Sequence, residues 1–136
     1  MTETPGELQF NRQRINRAPE AVVEFAHEII SQCGQSLPSQ IERRGMVRFP
    51  IAVPVLVMPL DENYQPVGPA FEAVTRDLSA GGMALLHTRA VNAKFLALEI
   101  EIPQKGRRTM ILEVLRCRPS RRFYEIAGKF VARVDG

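Results

Sequence analysis

The chain has 136 residues and a mass of 15.3 kDa, enough for one hydrophobic core and too little for two ordinary domains. Its 45% apolar and 24% charged residues are near globular averages, which argues against wholesale disorder and against a membrane protein. The net charge is only +3, yet fifteen of the eighteen basic residues are arginine, whose planar fork of donors grips a phosphate or a guanine edge two bonds at a time.

The longest apolar run, Ile51 to Leu60, contains two prolines and is far shorter than the roughly twenty residues a membrane-spanning helix needs. The N-terminus has no charged segment followed by an apolar signal core, so a cytoplasmic protein with no membrane insertion is expected. Cys33 and Cys117 stand outside any CxxC or Cys/His cluster and read as reduced thiols.

Residues 1–18 hold Pro5, Gly6 and three arginines with little to bury, and read as a flexible arm. Residues 19–40 form the second unit, a helix and a linker. Pro19 suits a first helical position, Glu20 faces the positive end of the helix dipole and Gly34 supplies a stop, so a helix is expected over Pro19 to Cys33. Val22, Phe25, Ala26, Ile29, Ile30 and Cys33 give it one apolar face, and Glu20, Glu24 and Glu28 line another. That face can pack on its own domain, or serve self-association or a partner. Gln35 to Gln40 reads as the linker.

Residues 41–136 read as one β domain. Strands are expected over Phe49 to Met58, Phe71 to Leu78, Met83 to Leu86, Lys94 to Ile102, Thr109 to Cys117 and Phe123 to Val131. In the first, Pro50 and Pro54 share one parity and Ile51, Val53, Val55 and Val57 the other, which fits an edge or barrel rim. Short turns and no intervening helical pattern give an all-β core, a small antiparallel barrel or sandwich. Arg89, Arg107, Arg108 and Arg133 read as solvated surface charge, and Arg118, Arg121 and Arg122 as charge in a hairpin turn, with contact to a phosphate from the rim as the alternative.

Two stretches carry candidate chemistry. Arg43, Arg44 and Arg48 precede the first strand, and Asp77, Ser79, Gly81 and Gly82 make a polar turn roughly thirty residues on. Arg43-Arg44-x-x-x-Arg48, then Asp77-x-Ser79-x-x-Gly82, then Tyr124-Glu125-Ile126-Ala127-Gly128-Lys129-Phe130 resemble a PilZ domain over roughly Glu42 to Val131. The resemblance implies a six-stranded antiparallel β-barrel, here preceded by the amphipathic helix, that acts as a bacterial receptor for cyclic di-GMP and not as an enzyme. It also implies that Arg44, Arg48, Asp77, Ser79 and Gly82 bind the ligand, with no metal.

The residue types agree with such a ligand. Guanidinium forks pair with phosphates or with guanine O6 and N7, and their planes stack on bases. Asp77 can accept from guanine N1–H and the exocyclic amine, and Ser79 can donate or accept. Gly81 and Gly82 permit positive φ and leave no Cβ in the way. Arg43 is expected to favour a mutually intercalated dimer of the nucleotide. Ligand binding is expected to order the lead-in before Phe49 and so reorient the helix toward a downstream protein; the same Pro19 to Cys33 helix is the element expected to carry any homo-oligomer.

Other readings stay open. Paired arginines before a strand are often surface charge, and Asp-x-Ser-x-x-Gly is also a generic turn. An enzyme would need a nucleophile, a base and an oxyanion site. Ser79 lacks the GxSxG elbow, while His27 and His87 read as a helix-surface and a strand-end residue. A barrel binding nucleic acid is favoured by the arginines and opposed by the few aromatics, 7% with no tryptophan. A PilZ-like adaptor that binds only protein would be expected to lack the two motifs.

Overall fold

A computed structural model describes residues 10, 12–33, 40–41 and 47–135. Within the stretch read as an arm, Arg12–Arg14 form a 3-10 turn and β1 (Ile15–Asn16) pairs with the end of the chain, Ile15 opposite Val134. Asn16 then leads into helix α1 (Pro19–Cys33): its Oδ1 accepts from the Ala18 amide at 2.9 Å, and the Ala18 carbonyl accepts the first helical bonds. The helix has the bounds expected from Pro19 and Gly34. Two short strands, β2 (Gln40–Ile41) and β3 (Val47–Arg48), pair with each other. The linker assigned to Gln35 to Gln40 lies outside the described residues, except for Gln40.

The remaining strands are β4 (Pro54–Leu60), β5 (Phe71–Leu78), β6 (Gly82–His87), β7 (Phe95–Ile102), β8 (Gly106–Ser120) and β9 (Phe123–Val134). They run antiparallel in the order β9-β6-β5-β4-β7-β8, and β8 returns to β9, closing a six-stranded barrel. Closure leaves no open sheet edge, because each of these strands has a neighbour on both sides.

The first expected strand begins later than its apolar pattern suggests. Phe49 makes only an isolated bridge to Leu78, and β4 starts at Pro54. The prolines are the reason: neither Pro50 nor Pro54 has an N–H to donate to a ladder. Thr75 fills the gap instead. Its hydroxyl donates to the Ile51 carbonyl and accepts from the Val53 amide at 2.9 Å. The parity survives, with Ile51, Val55 and Val57 buried and both prolines exposed.

One core fills the barrel, and α1 shares it. Val22, Ala26 and Ile29 belong to the same buried cluster as Val57, Leu85, Leu98, Ile100, Met110 and Leu112, with Phe25, Ile30 and Cys33 packed at its margin. Burying each Val or Ile side chain contributes about 1.5–3 kcal/mol. The apolar face of the helix is thus covered in cis, and meeting another chain through it would require leaving the barrel. A smaller cluster lies around Met58, Leu60, Tyr64 and Ile111, where Phe10 and Ile15 pack.

Two arginines read as solvated charge clamp the helix. Arg133 is only 17% exposed; it donates to Glu24 at 2.7 Å, to Asp135 at 2.6 Å and to the Ala21 carbonyl at 3.1 Å, and sits 4.1 Å from the Phe25 ring centroid. Arg108 donates to Glu28 at 2.9 Å. Sequence periodicity could not tell these two from free surface charge, because their partners lie about 80 and 110 residues away. Among the described residues no helix is long and apolar enough to cross a membrane.

Candidate functional site

Asp77 and Ser79 are positioned by the way β5 ends. Phe49 and Leu78 exchange backbone hydrogen bonds at 2.8 and 2.9 Å, which staples the residue after Arg48 to the residue after Asp77. Arg48 and Asp77 therefore face each other, with Arg48 Nη1 3.7 Å from Asp77 Oδ2. Ser79 then closes the turn on itself: its amide donates to the Gly82 carbonyl at 2.9 Å, and its hydroxyl oxygen accepts from the Gly81 amide at 3.3 Å. The Gly81 carbonyl accepts from Phe130 of β9 at 2.8 Å, tying the turn to the last strand.

The glycines serve close approach. Among the described residues the glycine at positive φ is Gly106, so the freedom for positive φ that Gly81 and Gly82 have is not used. What Gly82 supplies is space. A Cβ there would lie 2.1 Å from the carbonyl oxygen of Gly128 on β9, and a Cβ on Gly128 would lie 2.3 Å from the Glu113 carbonyl oxygen on β8. Three strands converge where only glycine fits, beneath an open cleft of about 360 Å³.

Arg48, Asp77, Ser79, Gly81 and Gly82 all line this cleft, so two sequence segments meet at one site. Arg43 and Arg44 lie outside the described residues. The other wall was foreseen only at Arg118, read as a turn charge able to reach a phosphate from the rim and found on β8. It comprises Arg76, Leu115, Arg116, Arg118 and Glu125, on the outer faces of β5, β8 and β9.

Two β-bulges build that wall. In β5 the register slips between Thr75 and Asp77, so Thr75 and Leu78 both stay buried while the residues between them, Arg76 and Asp77, both line the cleft. In β8 it slips between Val114 and Arg116: Val114 and Cys117 pack on the core while Leu115 and Arg116 both line the cleft. Each extra residue lets two consecutive side chains share one face, which simple alternation forbids.

Glu125 sits on the outer face yet is only 3% exposed. Arg76 pairs with it directly, Arg118 Nη2 lies 3.4 Å away and Arg116 Nη2 3.9 Å away. A buried carboxylate needs charged partners to offset its desolvation. Here three guanidiniums meet one carboxylate, so the wall carries excess positive charge. The sequence did contain a signal for it, because Arg116 and Arg118 are two apart on a strand and therefore share a face; what was not visible is that Glu125 of the next strand lies opposite Arg118.

His87 ends β6 and stacks on Phe71, with ring centroids 4.1 Å apart. Burial pushes its pKa below the ordinary imidazole value, and Arg89 adds to this. His27 is exposed on α1. Among the described residues no cluster of His, Cys, Asp and Glu is arranged to hold a metal ion.

The site is thus an electropositive cleft with a carboxylate acceptor, on the outside of a barrel, floored by backbone that no side chain obstructs. A search among curated proteins finds no match. The family model for the PilZ domain matches residues 42–135, which span the lead-in arginines, the polar turn and every strand of the barrel. The chain therefore belongs to the PilZ domain family, a family of cyclic di-GMP-binding receptors.

Proposed function

We propose that this protein is a bacterial, cytoplasmic cyclic di-GMP receptor without catalytic activity, whose ligand binds in the cleft between the lead-in and the rim of the barrel. The observation that carries the reading is the meeting of Arg48 with Asp77, Ser79, Gly81 and Gly82 around one cleft, within a PilZ domain. In this reading Arg44 and Arg48 grip phosphate or the guanine O6/N7 edge, Asp77 accepts from N1–H and the exocyclic amine, and Ser79 adds a hydroxyl. Gly81 and Gly82 let backbone approach the base. Arg43 stacks on or bridges to a second nucleotide, favouring an intercalated pair of ligand molecules over one.

The signal passes to α1 along the chain. Neutralising Arg43, Arg44 and Arg48 draws residues 35–48 onto the rim and changes the hold of Arg108 and Arg133 on the helix, which presents it to a downstream protein.

Calorimetric titration with cyclic di-GMP, using GTP and cyclic di-AMP as controls, tests the reading. Arg48→Ala and Asp77→Ala should each weaken binding by about 1.5–3 kcal/mol, the range for hydrogen bonds to charged groups. Unchanged affinity in both would move the site elsewhere. One nucleotide per chain would overturn the paired ligand, and hydrogen exchange over 35–48 unaffected by saturating ligand would overturn the relay.

A further inference from the structure

We infer that Arg76, Arg116 and Arg118, fanned around Glu125, form a second anion subsite on the barrel wall that takes a phosphate group of the bound ligand. The inference rests on the receptor reading for the identity of the natural ligand. The subsite itself is built from barrel residues alone.

Charge is the first argument. The three guanidiniums share one carboxylate, and their side chains are 54%, 51% and 58% exposed while Glu125 is almost fully covered. Satisfying Glu125 would need fewer cations. Arg118 and Arg116 stand 3.4 and 3.9 Å from it, longer than the roughly 2.7–2.9 Å of a tight charge-assisted bond. Each guanidinium has five donors, so donors remain for a ligand in the cleft.

Preorganisation is the second. Exposed arginines ordinarily lose rotamer freedom when they grip an anion. Here the buried carboxylate already gathers three of them from two strands, and the β8 bulge fixes Arg116 on the cleft side beside the 63% exposed Leu115. Leu115 offers an apolar contact for the base or sugar next to that phosphate.

Position is the third. The cluster lines the same cleft as Arg48 and Asp77. Two cationic centres in one cleft suit a ligand with two separated phosphates, and a bidentate fork suits a phosphate oxygen pair. Glu125 is a positioning residue in this scheme, holding the arginines and touching no ligand.

The test is a ¹H–¹⁵N NMR titration of the full chain with inorganic pyrophosphate, following arginine Nε–Hε signals and backbone amides, alongside calorimetry with cyclic di-GMP. The native chain should show saturable shifts at Arg76, Arg116, Arg118 and Ala127, the cleft-lining β9 residue paired with Arg116. The Arg116→Ala/Arg118→Ala variant should lose them and bind cyclic di-GMP roughly tenfold more weakly. The Arg116→Lys/Arg118→Lys variant keeps the charge without the fork and should fall between the two. Pyrophosphate shifts that are absent, or that spread without saturation over all exposed arginines, overturn the subsite. So does equal cyclic di-GMP affinity for native and double-alanine chains, which leaves the receptor reading standing. Saturable pyrophosphate binding at the cluster with no cyclic di-GMP binding does the reverse: the subsite stands and the receptor reading falls.

Discussion

Replacing Gly82 by alanine places a methyl group 2.1 Å from the Gly128 carbonyl oxygen and 3.1 Å from two further backbone atoms, Gly128 C and Lys129 Cα. Ordinary carbon–oxygen contact is more than an ångström longer, and no flexible side chain stands there to yield. Strands β6 and β9 must separate locally. The groups at risk are the Gly82–Lys129 pairing and the Phe130 amide bond to the Gly81 carbonyl, 2.8 Å in the native chain. Losing two such bonds costs about 1–3 kcal/mol, and forcing an oversized group into packed structure costs about 1–3 kcal/mol more.

The expected total for Gly82→Ala is about 2–6 kcal/mol, which urea denaturation monitored by circular dichroism would read as a lower midpoint with little change in slope. Because Gly82 lies in the cleft, ligand affinity should fall as well. Gly106→Ala is the comparison: Gly106 has φ +95 and open space around its Cβ position, so its cost is backbone strain alone, about 1 kcal/mol. A Gly82→Ala chain as stable as the native one, or no worse than Gly106→Ala, would refute the argument that strand convergence requires glycine here.

Three further outcomes are expected. Arg133→Ala removes bonds to Glu24, Asp135 and the Ala21 carbonyl along with the contact to Phe25, and should cost about 2–3 kcal/mol; hydrogen exchange should quicken first in residues 19–33. The Arg108 hydrogen bond lowers the pKa of Glu28, and the Asn16 hydrogen bond lowers that of Asp135. Both carboxylates therefore add stability that is present above their unfolded pKa values, about 4.3 and 3.9, and is lost as pH falls through the folded values. Below about pH 4 the helix should loosen before the barrel melts, and Glu28→Gln should flatten that dependence in an acid titration followed by tryptophan-free near-UV and far-UV dichroism. His87 acts at higher pH, because its folded pKa is lowered by burial: stability should fall as pH drops from about 6.5 toward that lower value, and His87→Phe should remove the step.

Local pattern and local chemistry were enough for much of the molecule. The 3-4 spacing from Val22 to Cys33, with Pro19 before it and Gly34 after, determined the helix because helical periodicity and end signals are properties of adjacent residues. Alternation from Phe95 to Ile102 determined a strand for the same reason, and the spacing of the arginine and Asp-x-Ser-x-x-Gly motifs determined the family. Tertiary structure decided the rest, where partners are remote in sequence. It decided that α1 lies on its own barrel, that Arg108 and Arg133 clamp it, and that Gly82 answers to the backbone of Gly128. Above all it decided the second wall of the cleft. Two bulges turned consecutive residues to one face, and only strand pairing could bring Arg76, Arg116 and Arg118 to a single buried glutamate.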